Sequence, residues 1–182
     1  MTDNVAQWHT EHANFEKLLR VLERELDLFD ASDTPNYELM LDIMYYMNHF
    51  PDVFHHPKED LAFAKILARH AGAQRIVADL THEHVLLKDS GEKLLRTLDA
   101  IVNDSILSRE NVVAPCRAYI EGFRRHIEKE EAEIVPLAAK LLHANDWAAI
   151  DMAIRQRDDP LFGKTAEKRY EALRRSIATQ PD

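Results

Sequence analysis

Two stretches of this chain carry the side chains best suited to chemistry. One is His126-Ile127-Glu128-Lys129-Glu130-Glu131, the other His55-His56-Pro57-Lys58-Glu59-Asp60, and both read His-x-x-Lys-Glu-acid. On a helix, residues four apart sit one above the other on the same face. His126 with Glu130, and His55 with Glu59, would each present an imidazole and a carboxylate one turn apart. Such a pair is two metal ligands with a fixed bite. Two helices of this kind facing each other in a bundle core are a recurring way to build a carboxylate-bridged dimetal site.

The elements that must position these groups are helices. Phe15, Leu18, Leu19, Leu22, Leu26 and Phe29 recur at three- and four-residue steps, which predicts a first helix over about 5–29 with His12 extending its apolar stripe. The cluster from Asp30 to Asn36 is a turn. A second helix starts near Tyr37 and carries Leu39, Ile43, Met44, Met47 and Phe50. Pro51 and Pro57 kink or restart it, Leu61, Phe63, Ile66 and Leu67 continue it, and Gly72 suits its C-terminal cap. A third helix is predicted over about 73–102, with Ile76, Leu80, His84, Leu87, Leu94, Leu95 and Leu98. A fourth covers about 110–142, with Cys116, Tyr119, Phe123, Ile134 and Leu137, bent at Pro136. Asn145-Asp146 opens a short helix, 158–163 is a loop, and a last helix is expected from Thr165 to Ile177. The predicted fold is all-α: an antiparallel up-down-up-down four-helix bundle over residues 1–142, with a C-terminal helical extension over 143–182 packed on it.

Composition fits that reading and narrows the function. Of 182 residues only 4 are glycine, 46% are hydrophobic and 30% charged, a helix-rich balance. A net charge of −9 argues against a nucleic-acid partner and against an anionic membrane surface. No apolar run is long enough to span a bilayer, and no basic segment followed by an apolar one opens the chain. The single cysteine, Cys116, leaves no disulfide framework, so a reducing cytoplasm is the expected setting.

The predicted helix ends give a test of the metal reading. His12 lies 18 residues before the first turn and His55 lies 19 after it; Glu59 and His84 lie 12 and 11 residues either side of the second; His84 and His126 lie 19 and 18 either side of the third. At equal rise per residue these groups share one level of the bundle. The halves also repeat. Glu11-His12 parallels Glu83-His84 at an offset of 72, and His55 and Glu59 parallel His126 and Glu130 at an offset of 71. Two such hairpins about a pseudo-twofold axis would hold two metals, each with two histidines, bridged by the two glutamates.

The repeat favours His55 over His56, which aligns with Ile127. His82 aligns with Thr10, and His9, His49, His70 and His143 also lack counterparts. His56, His82 and His9 are therefore read first as ordinary surface or packed histidines, with His56 or His82 as the candidates for outer hydrogen-bond donors or replacement ligands. Each motif alone is more often a solvated helix face or a packed histidine. Together they would bury six polar groups at one level of an apolar core, at several kcal/mol per charged group without a cation. Cys116, Tyr45, Tyr46, Tyr119, Trp8 and Trp147 are read as packing residues.

With these motifs in this order, residues 5–142 resemble the hemerythrin family, specifically the bacterial cation-binding hemerythrin-like domains. The resemblance implies a non-haem centre of two iron ions, completed by an oxo or hydroxo bridge, with manganese or zinc as substitutes. By that resemblance His12, His55, His84 and His126 are terminal ligands, and Glu59 and Glu130 are bridges. Oxygen-carrying members have a fifth histidine one turn away on the third helix, where this chain has Leu80 and Lys88. They also use an aspartate five residues after the fourth-helix histidine, where it has Glu131. The four-histidine, two-glutamate set is closer to the iron-centre repair and nitric-oxide-response branch, whose usual cysteine-bearing N-terminal segment does not precede Val5.

The expected function is a dimetal protein that binds or senses a small ligand such as O2, NO or peroxide, or handles iron, with a homodimer as the candidate assembly. The alternatives are a di-iron enzyme acting on NO, peroxide or damaged iron centres, and a metal-free helical scaffold that recruits a partner through 142–182.

Overall fold

A computed structural model describes residues 3–30, 33–155 and 157–178. Ala31 and Ser32 of the first predicted turn, and the last four residues of the expected extension, lie outside them. Among the described residues there is no strand, and the chain forms the expected antiparallel bundle of four rods. The first rod is α1 (Asp3–Asp30). The second is α2 (Tyr37–His49), a π-helical turn (Pro51–His55) and α3 (His56–Arg69). The third is α4 (Gln74–Val102). The fourth is α5 (Glu110–Lys129), a second π turn (Glu130–Ile134) and α6 (Val135–Leu141).

Both π turns have a covalent cause. Proline has no N–H and its ring displaces the carbonyl four residues back. Pro57 therefore denies Val53 its α-helical partner, and the His56 N–H reaches the carbonyl of Pro51, five residues back. In the fourth rod Pro136 does the same to Ala132, and the Val135 N–H bonds to Glu130. The expected kinks are thus one-residue expansions that keep each rod continuous. Gly72 is not a left-handed cap: no glycine has positive φ, the helix closes with the His70 N–H on Ile66, and Ala71–Ala73 form a 3-10 turn.

The apolar side chains form two clusters rather than one. The first gathers Phe15, Leu22, Met40, Met44, Leu94 and Phe123; the second gathers Trp8, Phe63, Ile66, Leu80, Ile134 and Trp147. His12 falls between Trp8 and Phe15, His84 between Leu80 and Leu87, and His126 and Glu130 between Phe123 and Ile134. The bundle is two apolar plugs with a polar layer between them.

The C-terminal segment adds α7 (Ala144–Ala153) and α8 (Glu171–Ala178). The N-cap of α7 is His143, not Asn145; Asp146 in its first turn accepts the His143 N–H at 2.9 Å and the Arg69 guanidinium of α3 at 2.8 and 2.9 Å. The last helix begins six residues later than expected. Glu167 is extended and its N–H bonds to the Pro160 carbonyl, so the chain before Lys168 is held by the loop instead of coiling. That loop is tied down by Asp159. One carboxylate oxygen accepts the N–H groups of Leu161 and Phe162, and the other accepts the hydroxyl of buried Tyr46 at 2.8 Å.

Candidate metal centre

Each rod brings a predicted side chain to the polar layer. His12, His55, Glu59, His84, His126 and Glu130 are all buried, with both glutamates fully enclosed. Glu59 Oε1 lies 3.1 Å from His55 Nε2 and 3.5 Å from His12 Nε2, while its Oε2 lies 3.6 Å from His84 Nε2. Glu130 Oε1 lies 3.2 Å from His126 Nε2 and 3.5 Å from His84 Nε2, and its Oε2 lies 3.3 Å from His12 Nε2. Each carboxylate therefore spans the two halves of the molecule, one oxygen toward each.

The layer holds one residue the repeat did not select. His56 is buried, its ring stacked on His84 at 4.3 Å and 5.6 Å from His126. Two groups of ligand atoms result, each within 4.8 Å of one another: His12, His55, Glu59 and Glu130, and His56, Glu59, His84 and His126. Where two plus two histidines were expected in the layer, the two groups gather two and three. Neighbours on a helix differ by about 100°, and the inward sector of a core helix is at least that wide. His55 can thus face α1 while His56 faces α4 and α5. Sector width was the signal available in the sequence; alignment with Ile127 concealed it. His82, His49, His70 and His143 are exposed.

The outer nitrogens are equally ordered. Glu11 of the first rod accepts His55 Nδ1–H at 2.6 Å, Asp60 of the second accepts His84 at 3.0 Å, Glu83 of the third accepts His126 at 3.1 Å, and Glu131 of the fourth accepts His12 at 2.7 Å. Each rod hands a carboxylate to the imidazole of the next, closing a hoop around the bundle. His56 is held within its own rod by Asp52 at 3.1 Å. Nδ1 bonds of this kind fix the tautomer and turn Nε2 inward.

Charge follows this layout. Burial alone would depress His12, but Glu130, Glu131 and Glu59 hold it well above its ordinary value. The same balance of burial against carboxylates raises His55 to about 9 and His84 to about 10. His56 goes the other way, pushed well down by burial and by the neighbouring imidazoles. Burial raises Asp52 to about 7.

The donor set fits a cation. Both oxygens of Glu59 and of Glu130, and Nε2 of His56, His84 and His126, are buried with no hydrogen-bond partner among the described residues. His12 and His55 point their Nε2 atoms at each other across 3.0 Å. Buried polar atoms are nearly always satisfied, and unpaired buried carboxylates cost several kcal/mol each. Ligands that converge unpaired are what a metal completes.

A family model for the hemerythrin HHE cation-binding domain matches residues 3–138. The chain belongs to that family. Searches of curated proteins and of solved structures returned no match. The HHE match covers the first three rods and the fourth as far as residue 138, and contains every residue of the buried layer. The hemerythrin family binds cations, and the His/Glu cluster fits a metal site. Among the described residues no helix is long and apolar enough to cross a membrane.

Proposed function

We propose that this hemerythrin-like protein holds two iron ions in the buried layer and binds or senses a small molecule such as O2, NO or peroxide there. The observation that carries the reading is the set of seven buried, unpartnered ligand atoms converging from three of the four rods, with His12 supplying the first rod's share. His12 and His55 would serve one ion, His56, His84 and His126 the other, and Glu59 and Glu130 both. Mixed imidazole and carboxylate ligands suit iron, with manganese and zinc as competitors. Bound iron would supply exchange of electrons and open coordination for a diatomic ligand.

The chain's own contribution is preorganisation. The hoop of carboxylates fixes four imidazoles before any ion arrives, and Asp52 fixes the fifth, His56. A cation beside His12 and His55 would have four protein ligands, against five beside His56, His84 and His126, so the first side has more room for an added ligand. Phe15 lies 5.0 Å from His55 and 6.4 Å from His12, and keeps that side dry.

Metal content after aerobic purification tests the proposal. About two irons per chain are expected, with at least half lost in Glu130→Ala. A wild-type chain with little metal, and with melting unchanged by a chelator, would overturn it in favour of a scaffold. Spectral change on adding NO or peroxide to the reduced protein then separates binding from turnover.

A further inference from the structure

We propose that the cleft between the first π turn and the C-terminal segment binds a planar heteroaromatic molecule of two or three fused rings. The cleft has a volume of about 530 Å³, within the range of small-molecule sites at about 300–1,000 Å³. It is lined by Tyr45, His49, Phe50 and Phe54 from the second rod and by Arg157 and Tyr170 from the C-terminal segment.

The chemistry of the lining selects the ligand. Tyr45 is already part of a stack: the Arg169 guanidinium lies 3.5 Å over its ring and His49 is parallel to it at 3.9 Å. The exposed His49 extends that stack outward. Arg157 lies over the Phe54 ring at 5.6 Å and joins the C-terminal part of the lining to the second rod. Flat π faces and a guanidinium plane favour a flat guest over a branched or aliphatic one. The formally charged residues of the lining are Arg157, Asp158 and Glu167. They offer donors and acceptors together without a cationic excess, which suits a neutral ring with both kinds of hydrogen-bonding edge and disfavours a phosphate or a free carboxylate. Val53, 49% exposed, is an apolar side chain of the lining with about half its surface open to solvent.

The position gives the ligand leverage. The Phe50 carbonyl accepts the N–H groups of Phe54 and His55 in the π turn. The Phe50 ring lies 6.5 Å from Phe15, which touches His55. A guest on Phe50 would rest against the segment that carries His55 and His56, and its affinity would depend on whether metal holds them, by reciprocal linkage.

The inference stands apart from the metal reading, because the cleft is built without any of the buried ligands. The test is equilibrium dialysis of the full chain, as purified and after chelation, against riboflavin, lumichrome and adenine. At least one probe is expected to bind saturably at one per chain. Val53→Trp, which fills the cleft from an exposed position, and Arg157→Ala, which removes part of the lining, should each weaken that binding tenfold or more while leaving far-UV circular dichroism unchanged. Binding to the chelated chain as well supports the cleft whatever the fate of the metal proposal. No saturable binding of any probe overturns the inference, as does binding that both variants retain. Probe uptake that appears only with a concentration-dependent dimer would assign the cleft to a second copy and also overturn it.

Discussion

At the scale of single residues, the histidines separate by what their inner nitrogen meets. His56 Nε2 is buried and unpartnered, whereas His82 is exposed on the same bundle. His56→Ala is expected to lower metal content to about one ion per chain or less, and His82→Ala to leave it unchanged, both read by elemental analysis of purified protein. Equal loss in the two variants would contradict the two-plus-three arrangement. The sequence made the six inward groups visible because helical spacing and the repeat both pointed at them. It hid the role of the flanking acids. Asp60 and Glu131 stood only as the acids that end the two His-x-x-Lys-Glu-acid runs, and Glu11 and Glu83 only as matching members of the repeat. The structure pairs each with an imidazole on another rod, and pairing across rods leaves no trace in local spacing.

At the scale of elements, the two π turns explain why the halves are not copies. The first ends on His55, but the second begins at Glu130, after His126. Pro57→Ala restores an N–H opposite the Val53 carbonyl, so the first turn can relax to α-helix and rotate His55 and His56 by about 100° against Glu59. Metal content is expected to fall to about half or less with helicity retained, checked by elemental analysis beside circular dichroism. Full metal would show that the expanded turn is dispensable. The sequence marked both prolines as sites of a bend. It could not say that an added residue would absorb them, because the choice between a kink and an expansion is made by packing on both sides.

The short α7 is docked by Asp146, which Arg69 and the His143 N–H hold down at about 2. A carboxyl depressed from 3.8 to about 2 stabilises the fold fully above pH 3.8, and the contribution fades as pH falls toward 2. Asp146→Asn should therefore cost about 1 kcal/mol, equally at about pH 7 and about pH 5, and the gap in urea midpoint should narrow only below about pH 4. A gap that narrows already between pH 7 and 5 would point to a different group. The late start of α8 was not legible, because the Pro160 carbonyl that captures the Glu167 N–H lies in a loop whose path depends on Tyr46 and Asp159.

At the scale of the whole molecule, two apolar plugs flank one polar layer. The plugs can keep the helices formed when the layer loses its cation, so chelation should lower the melting temperature by about 10 °C without abolishing helicity, as followed by circular dichroism. A melting curve indifferent to chelation would mean that the layer adds nothing to stability. Level and fold class were readable from helix lengths alone, since four helices of similar length with short turns admit few arrangements.

The hoop of carboxylates has a further consequence. Two of its links, Glu11 to His55 and Glu83 to His126, lie within a hairpin. The other two, Asp60 to His84 and Glu131 to His12, join the hairpins, and each hairpin gives one acid and takes one. Nothing in those contacts requires both hairpins to come from the same polypeptide. If the short segment around Ala71–Ala73 straightened, two chains could trade hairpins and rebuild two complete layers with every link intact. The centre that defines the monomer would then serve equally as the seam of an exchanged dimer.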